Sequence, residues 1–407
     1  MNFLFAWRYF KAKKTTNAIN IIAWISILAM MIGTAALILV LSVFNGFEGL
    51  VKSLYSSFYA DIKIFPEQGK VLSLTREQLN KIKGVEGVKA LSLVAEEKAL
   101  LQHGDNKSVV VLKGVDDHYS AVSGVPDNMI KGSFNLGNDE YPSVVLGAGV
   151  ENALNIMTDR SIEPLLIYVP NKEAKNMLDP LNAVRSQSAN TAGTFVIQKD
   201  FDNNYAISNL GFVKAMLGLS ADQYSAVEIS LKDPGQADPV KEEIQGLLGN
   251  SYDVKTRYEQ NQGLYSAMRA EKWVIYAVLS LILVVAAFNM IGALTMLVLE
   301  KEKDMNVLYA LGADKSFIQK IFLSEGLLLA IIGGGTGMLL ALIIAYIQLT
   351  FKVISLGGGS FLISYFPVEL KWTDFLLVGV TVFIIALLAS WIPSRKASRG
   401  EFSLRSE

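Results

Sequence analysis

The chain has 407 residues, of which 51% are hydrophobic and only 18% are charged. Its mean hydropathy is +0.35. This composition excludes an ordinary soluble protein and indicates an integral membrane protein. The net charge of −1 argues against nucleic acid as a partner. Because the chain has no cysteine, disulfides, thiol catalysis and cysteine metal sites are excluded.

The first 17 residues combine aromatic and cationic side chains. Trp7 and Tyr9 stand beside Arg8 and Lys11, a pattern typical of a helix in the headgroup layer. We therefore predict a cytoplasmic interfacial helix at 1–17. A merely basic flank to the first span is the alternative.

Four apolar segments have the roughly 20 residues that a helix needs to cross a bilayer. They predict spans at 18–46 (with the start of a stalk), 271–299, 321–350 and 373–392. The sequence NGFEG, not a small-residue cleavage site, follows the first span, so this span is predicted to be retained. Lysines and arginines before the first span and after the fourth place both termini in the cytoplasm, including the tail 393–407. The short loop 351–372 then lies on the opposite, extracytoplasmic side.

A large domain at 47–270 separates the first two spans and is predicted on the extracytoplasmic side, which the family resemblance described below implies is the periplasm. Its ends contain alternating strand and helix patterns, which predict an α/β lobe from 47–115 and 222–270 near the membrane. Residues 116–221 predict an outer, β-rich lobe. Within it, Val144–Asn155 is predicted to be a helix and Asn182–Gly193 an exposed loop or hairpin tip. The fold class is thus four transmembrane helices plus a large α/β extracytoplasmic domain.

Helical patterns continue beyond the membrane on both sides of this domain. Apolar residues keep helical spacing from the first span through Phe58, and Tyr258–Lys272 leads into the second span with no strong breaker except Gly263. We expect these two stalks to be rigid enough to transmit motion.

The segment 300–320, between the second and third spans, predicts a short amphipathic helix followed by a turn. Met305, Leu308 and Leu311 recur at helical spacing, Gly312 suits a left-handed C-terminal position, and Asp314 suits the N-cap of the next helix. The apolar stripe either forms an exposed docking surface or packs on the ends of the chain's own helices.

No catalytic motif is found along the chain. A Walker A pattern and a G-x-S-x-G elbow are both absent from the sequence, and GGGTG at 333–337 lies inside a span. Gly333 and Gly337 instead predict a close helix contact. With only His103 and His118 among loop acids, we predict no metal site, no catalytic residue and no cofactor in this chain.

Two stretches carry a family resemblance. FAWRYFKAKKTTNAINIIAWISILAMMIGTAALILVLSVFNGFE ends at Glu48, and VLYALGADKSFIQKIFLSEG follows the second span. With the one-span, large-domain, three-span order, the chain resembles the FtsX-like, MacB-type permeases of ABC transporters, and within them the LolC/LolE subunits of the lipoprotein-releasing system. The resemblance implies that the extracytoplasmic domain 47–270 consists of a Porter-like and a Sabre-like lobe.

The resemblance also implies a motor outside this chain. A separate cytoplasmic ABC ATPase, similar to LolD, would bind ATP and Mg²⁺, and the 300–320 segment would be its coupling helix. The implied coupling residues are Lys303, Asp304, Met305, Leu308, Leu311 and Gly312. A second copy or a paralogous permease would complete the complex in the inner membrane.

The implied cargo is a lipoprotein that enters from the membrane lipid between the first and second spans and passes to a periplasmic carrier similar to LolA. The implied cargo-facing or stalk residues are Val40, Val43, Phe44, Phe47, Met268 and Ile275. A carrier-gripping hairpin is sought in 180–193, with Pro180, Leu181, Val184 and Arg185 as candidates. The alternative is a mechanotransmitter of the same architecture that exports a peptide or drug or regulates a cell-wall hydrolase.

Overall fold

The structure, a computed structural model, describes residues 17–158, 163–171, 184–355 and 365–399. The chain divides into two compact units. The described parts of 1–50, 266–357 and 363–407 form a helical unit, and those of 51–265 form most of an α/β unit. The predicted interfacial helix at 1–17 lies outside the described residues except for Asn17.

The helices differ greatly in length. They are α1 (Asn17–Phe58), α2 (Arg76–Lys83), α3 (Ala148–Leu154), α4 (Lys199–Asp202), α5 (Leu210–Leu217), α6 (Ala237–Leu248), α7 (Arg257–Gln260), α8 (Gln262–Glu300), α9 (Glu302–Ala310), α10 (Lys315–Phe351) and α11 (Trp372–Arg399). Among the described residues, α1, α8, α10 and α11 are long and apolar enough to cross a membrane. The prediction of four spans is therefore confirmed.

The long helices extend well beyond a bilayer. At 1.5 Å per residue, the 42 residues of α1 measure about 63 Å, roughly twice the hydrocarbon thickness. The predicted helical stalk after the first span is confirmed, because α1 continues unbroken to Phe58. The second stalk is predicted at Tyr258–Lys272, directly before the second span. Helix α8 begins at Gln262 and therefore contains most of this stalk.

The fourth span ends later than the sequence predicts. We predict its end at Ile392, but α11 continues through Pro393 to Arg399. Proline is tolerated in membrane helices. Pro393 has no N–H to donate to the Ala389 carbonyl, so α11 continues past it without this one helix hydrogen bond. The first part of the predicted tail is therefore helical.

The core of the helical unit depends on close contact between α1 and α10. A Cβ atom on Gly333 would lie 2.9 Å from the Ile27 carbonyl oxygen, and one on Gly337 would lie 2.5 Å from that of Met31. Only glycine permits this approach, so the predicted role of the Gly333–Gly337 pair is confirmed.

Adding one methyl group tests that contact. We expect Gly337→Ala to destabilise the helical unit by about 1–3 kcal/mol, because the new methyl group meets backbone on α1. Gly335→Ala is the matched control on the same helix, since nothing lies within 4 Å of the position that its added methyl group would take. It should be neutral or stabilising by up to about 1 kcal/mol through helix propensity. Thermal unfolding in detergent measures both, and equal melting temperatures would contradict the contact.

One large sheet organises the α/β unit. The strands are β1 (Ile62–Pro66), β2 (Leu72–Ser73), β3 (Val88–His103), β4 (Asn106–Val115), β5 (Met129–Gly132), β6 (Ser143–Gly147), β7 (Leu165–Pro170), β8 (Val184–Phe195), β9 (Tyr205–Asn209), β10 (Gln223–Tyr224), β11 (Ala226–Leu231) and β12 (Tyr252–Thr256). Ten described strands form this sheet: nine pair in the order β12-β1-β11-β3-β4-β9-β6-β8-β5, and β7 pairs with both β3 and β8. β2 and β10 form a separate pair.

The sheet runs through both predicted lobes. β3 pairs with β11, from the predicted membrane-proximal lobe, and with β7, from the predicted outer lobe. The hydrophobic core is nevertheless divided, because one buried cluster contains Ile62 and Ile244 and another contains Leu146 and Phe212. The division into two lobes therefore stays a prediction, and both lobes would contribute strands to the same sheet.

The middle of the α/β unit contains an element that the sequence misassigns. We predict one helix over Val144–Asn155, but the first part is strand β6 and only α3 is helical. The run Val144–Leu146 is fully buried on a strand between β8 and β9, and such a run fits a central strand as well as a buried helix turn.

Candidate functional site

The connection between α8 and α10 has the predicted helix and turn. α9 spans Glu302–Ala310, and Gly312 follows in the left-handed region with φ +92°. Asp314 caps α10, because its side chain accepts a hydrogen bond of 2.9 Å from the Phe317 backbone N–H. The helix, its glycine stop and the following N-cap are therefore confirmed.

The two faces of α9 differ, and Met305 is on the wrong one for docking. Met305 is only 2% exposed, whereas Val307 is 60% and Leu311 is 78% exposed. Leu308 is half-buried. At about 100° per residue, positions 305 and 311 diverge by about 120°, so the three-residue spacing drifts around the helix. The prediction that Met305 shares the exposed stripe is wrong, and Val307 takes its place.

The inner face of α9 packs on the ends of other helices. Met305 belongs to the buried cluster of the helical unit. It also lines a cavity of about 170 Å³ together with Val298 of α8 and Pro393 of α11. The sequence leaves two alternatives for these apolar residues, an exposed docking surface or packing on the chain's own helix ends. Met305 packs on the helix ends, while Val307 and Leu311 are exposed.

Charged residues border the exposed face. Lys303 and Asp304 are both exposed, and Asp304 forms an ion pair with Lys301 at 3.0 Å. Glu302 and Asp304 occupy the first turn of α9, where a negative charge is favoured by the helix dipole. The exposed surface thus combines two aliphatic side chains with a mixed-charge rim, a composition suited to docking a protein.

The predicted cargo-facing residues lie in the helical unit, with different surroundings. Val40 is 39% exposed, and Val43, Phe44, Met268 and Ile275 are half-buried. Phe47, also half-buried, already has a partner, because its ring contacts Phe366 edge-to-face at 5.8 Å. Val40 is therefore the most accessible apolar residue of the span α1 among these candidates.

Most of the predicted loop or hairpin tip at 182–193 is a strand. Residues 184–193, expected in a loop, belong to β8, which pairs with β7 from Leu165↔Ala189 to Pro170↔Val184. The sequence does not indicate this strand, because its first residues are mostly polar and few of them are buried. Val184 is exposed at the start of β8, and Arg185 donates weakly to the Met216 carbonyl at 3.5 Å. Pro180 and Leu181 lie outside the described residues.

A buried charge network in the α/β unit was not predicted. Lys113 Nζ lies 2.8 Å from Glu228 Oε1, and Lys63 Nζ lies 2.8 Å from Glu96 Oε1 and 3.3 Å from Glu228 Oε1. Lys113 and Glu228 are almost completely buried. The sequence does contain a signal, namely a charged residue inside each of the apolar runs VVVLKGV and AVEISL.

The four charges stabilise one another against burial. Burial alone would lower the pKa of Lys113, but the carboxylates of Glu228 and Glu96 raise it above its usual value. Burial likewise opposes ionisation of Glu96, yet Lys63 and Lys113 lower its pKa. The pKa of Lys63 is likewise raised by the carboxylates of Glu96 and Glu228 against the effect of burial, so Lys63, Lys113 and Glu96 stay charged at neutral pH.

This network packs against the end of α1 within the α/β unit. Lys113 Nζ lies 5.0 Å from the centre of the Phe58 ring, which stacks on Phe201 at 4.2 Å. Cation–π and ring contacts of this kind add to the burial of apolar area. They attach the last residue of α1 firmly to the sheet.

These features define a class of protein. Four candidate spans, an α/β domain inserted after the first, and a short helix with an exposed apolar side between the second and third fit the architecture of a transporter's membrane subunit. A model of the MacB-like periplasmic core domain matches residues 23–247, and a model of the FtsX-like permease C-terminal region matches residues 276–402. The chain belongs to this FtsX-like, MacB-type permease family.

Individual relatives match along almost the whole chain. The lipoprotein-releasing system transmembrane protein LolE of Haemophilus influenzae is 27% identical, over 98% of this chain and 97% of its own. LolC of Xylella fastidiosa (strain 9a5c) is 24% identical, over 96% and 95%. The periplasmic region of MacB from Actinobacillus actinomycetemcomitans covers 53% of this chain and 98% of its own at 10% identity, with a TM-score of 0.36.

Proposed function

We propose that the chain is the membrane subunit of an ABC complex that extracts lipoproteins from the outer leaflet of the inner membrane. ATP hydrolysis in a separate subunit drives the extraction, and a periplasmic carrier receives the cargo. The observation that carries this proposal is the exposed face of α9, Val307 and Leu311, on a chain whose relatives of nearly equal length are named for lipoprotein release. The ATP and Mg²⁺ belong to the partner ATPase.

The proposed orientation follows from the charged flanks. Arg8 and Lys11 precede α1, and Arg395 and Lys396 lie near the end of α11, so both termini face the cytoplasm. With four spans, α9 is then cytoplasmic and within reach of an ATPase, and the α/β unit is periplasmic.

Mechanical transmission is the proposed role of the long helices. α9 follows α8 after a single residue, and α8 continues for 39 residues, about 58 Å, without a break. A push on α9 therefore displaces a rigid rod. α1 is equally continuous and ends in the ring contacts around Phe58.

Cargo and partners complete the proposal. The acyl chains enter from the membrane lipid between α1 and α8, where Val40 offers an exposed apolar side chain. A second copy or a paralogous permease closes the other side. The paired strands β7 and β8, with Val184 and Arg185 at the start of β8, are the proposed contact with the carrier.

A second candidate function rests on the family model at residues 23–247, which is named for MacB and not for lipoprotein release. In that case, the same mechanical device exports a peptide or drug or regulates a cell-wall hydrolase. The coupling at α9 is common to both candidates, so only the cargo distinguishes them.

Depletion in the native host distinguishes the candidates. Loss of the chain should leave outer-membrane lipoproteins in the inner membrane, as measured by membrane fractionation. Restoration by the wild-type gene is the control. Normal lipoprotein sorting after depletion would contradict lipoprotein release and favour the second candidate.

A further inference from the structure

Three spans meet at a polar cluster that the proposed function leaves without a role. Asn45 of α1, Lys272 of α8 and Asp374 of α11 form this cluster, which we call the polar junction. Asn45 donates to Asp374 Oδ2 at 2.5 Å, and Lys272 donates to Asn45 Oδ1 at 2.8 Å. Lys272 Nζ also lies 3.5 Å from Asp374 Oδ1.

Two of the three members of the junction are buried. Asn45 is 0% and Asp374 is 5% exposed, whereas the side chain of Lys272 is about one-quarter exposed. Both ends of the Asn45 amide are used, and a network of this kind is stable only while every member has its partners. Lys272 is the member that water reaches most easily.

The residues beside Asn45 fix the chain segment that precedes α11. A Cβ on Gly46 would clash with the Pro367 carbonyl oxygen, and the Glu369 N–H donates to the Ser42 carbonyl at 2.9 Å. Together with the Phe47 contact described above, these interactions hold α1 against the start of α11. The sequence SVFNGF at 42–47 thus has a structural purpose in attaching α1 to α11.

Helix α8 is attached differently along its length. From Leu283 to Val298 it contributes six residues to the buried apolar cluster. None of residues 266–282, all of which the structure describes, is buried. In that half, Tyr276 and Leu279 are only partly buried against the same cluster. Polar contacts supplement them: Lys272 bonds at the junction, and the Tyr276 hydroxyl bonds to the Thr381 hydroxyl at 2.5 Å.

We propose that the polar junction is a releasable latch that holds residues 266–282, the outer half of α8, against α1 and α11. Hydrogen bonds that end on one partly exposed lysine can open with the exposure of only partly buried side chains, whereas the half from Leu283 onward cannot separate without exposing fully buried ones. The latch deepens the proposed function and rests on it, because it controls the path between α1 and α8 through which cargo would enter.

Spin labels on the assembled complex test this latch. The chain has no cysteine, so introduced cysteines label specifically. An outer pair, Val278→Cys with Leu376→Cys, reports the α8–α11 distance near the junction, and an inner pair, Val285→Cys with Leu388→Cys, reports it in the packed half. All four side chains are exposed.

We expect Lys272→Met to lengthen and broaden the outer distance while leaving the inner distance unchanged. Lys272→Arg should keep the wild-type distances, because it keeps the cation. Glu271→Gln, at an exposed neighbouring position, is the matched control. An unchanged outer distance in Lys272→Met would overturn the latch, and so would broadening of both pairs, which would mark a general packing role.

A second arm asks whether the wild-type latch opens during the cycle. A non-hydrolysable ATP analogue added to the complex should shift the outer pair alone. If the ATPase co-purifies but the analogue leaves the outer pair unchanged, the junction is a permanent tie and the latch is refuted, while the proposed function stands. If no ATPase co-purifies with the wild-type chain, the proposed function itself fails.

Discussion

Replacing Leu311 by aspartate is expected to abolish binding of the ATPase subunit while the chain still inserts and folds. Leu311 is exposed and does not belong to the buried cluster that the structure describes in the helical unit, so a carboxylate there is harmless in the free chain. In an apolar groove on a partner, the same carboxylate would be desolvated without a cation. We expect binding to weaken at least about a hundredfold, which corresponds to roughly 3 kcal/mol.

Co-purification of the ATPase with the tagged chain from membranes measures this effect. Val307→Asp should behave like Leu311→Asp, because Val307 on α9 and Leu311 directly after it are both exposed. Val109→Asp, at an exposed position of β4 in the α/β unit, is the matched control and should keep the ATPase. Full ATPase recovery with Leu311→Asp would show that this face is not the docking surface.

Replacing Lys113 by methionine is expected to destabilise the α/β unit by about 3–5 kcal/mol. Methionine keeps much of the side chain's length but removes the positive charge. Within the network, Glu228 then contacts only one cation, Lys63, at 3.3 Å. The network then carries an excess negative charge inside the protein. Because a tenfold change corresponds to about 1.4 kcal/mol, backbone amides of β4 and β11 should exchange roughly a hundredfold to several thousandfold faster.

Hydrogen exchange on the full chain in detergent tests this prediction, with peptides from α10 as the internal reference. The double variant Lys113→Met with Glu228→Leu removes both charges and leaves the Lys63–Glu96 pair intact. It should recover much of the lost protection, because no unpaired charge remains in the network. Equal exchange in wild type and Lys113→Met would contradict a stabilising network.

The sequence predicts the helical unit well because its signals are long and strong. Apolar segments of this length are readily identified as spans. The glycine pair in α10 predicts a close helix contact, and Gly312 predicts the end of a helix. The faces of α9 are harder to predict, since a short helix makes few turns and a three-residue spacing drifts around the axis. The sequence cannot reveal which side the neighbouring helix ends will cover, and it therefore puts Met305 on the wrong face.

The α/β unit is less predictable because its strands depend on distant partners. β8 carries serine, asparagine and threonine where a strand pattern would have apolar residues, and its pairing with β6, a strand far away in the sequence, determines its conformation. The polar junction is similarly hidden, because Asn45 and Asp374 are 329 positions apart. Such contacts follow from the packing of whole helices and have no local signature.

Lipoprotein release in a reconstituted system tests the central claim most directly. Vesicles containing the chain, its ATPase, any paralogous permease and a labelled triacylated lipoprotein are given ATP and a soluble carrier, and the lipoprotein transferred to the carrier is measured. The account predicts ATP-dependent transfer with the wild-type chain and none with Leu311→Asp. ATP hydrolysis by the assembled complex without any transfer of lipoprotein would contradict it.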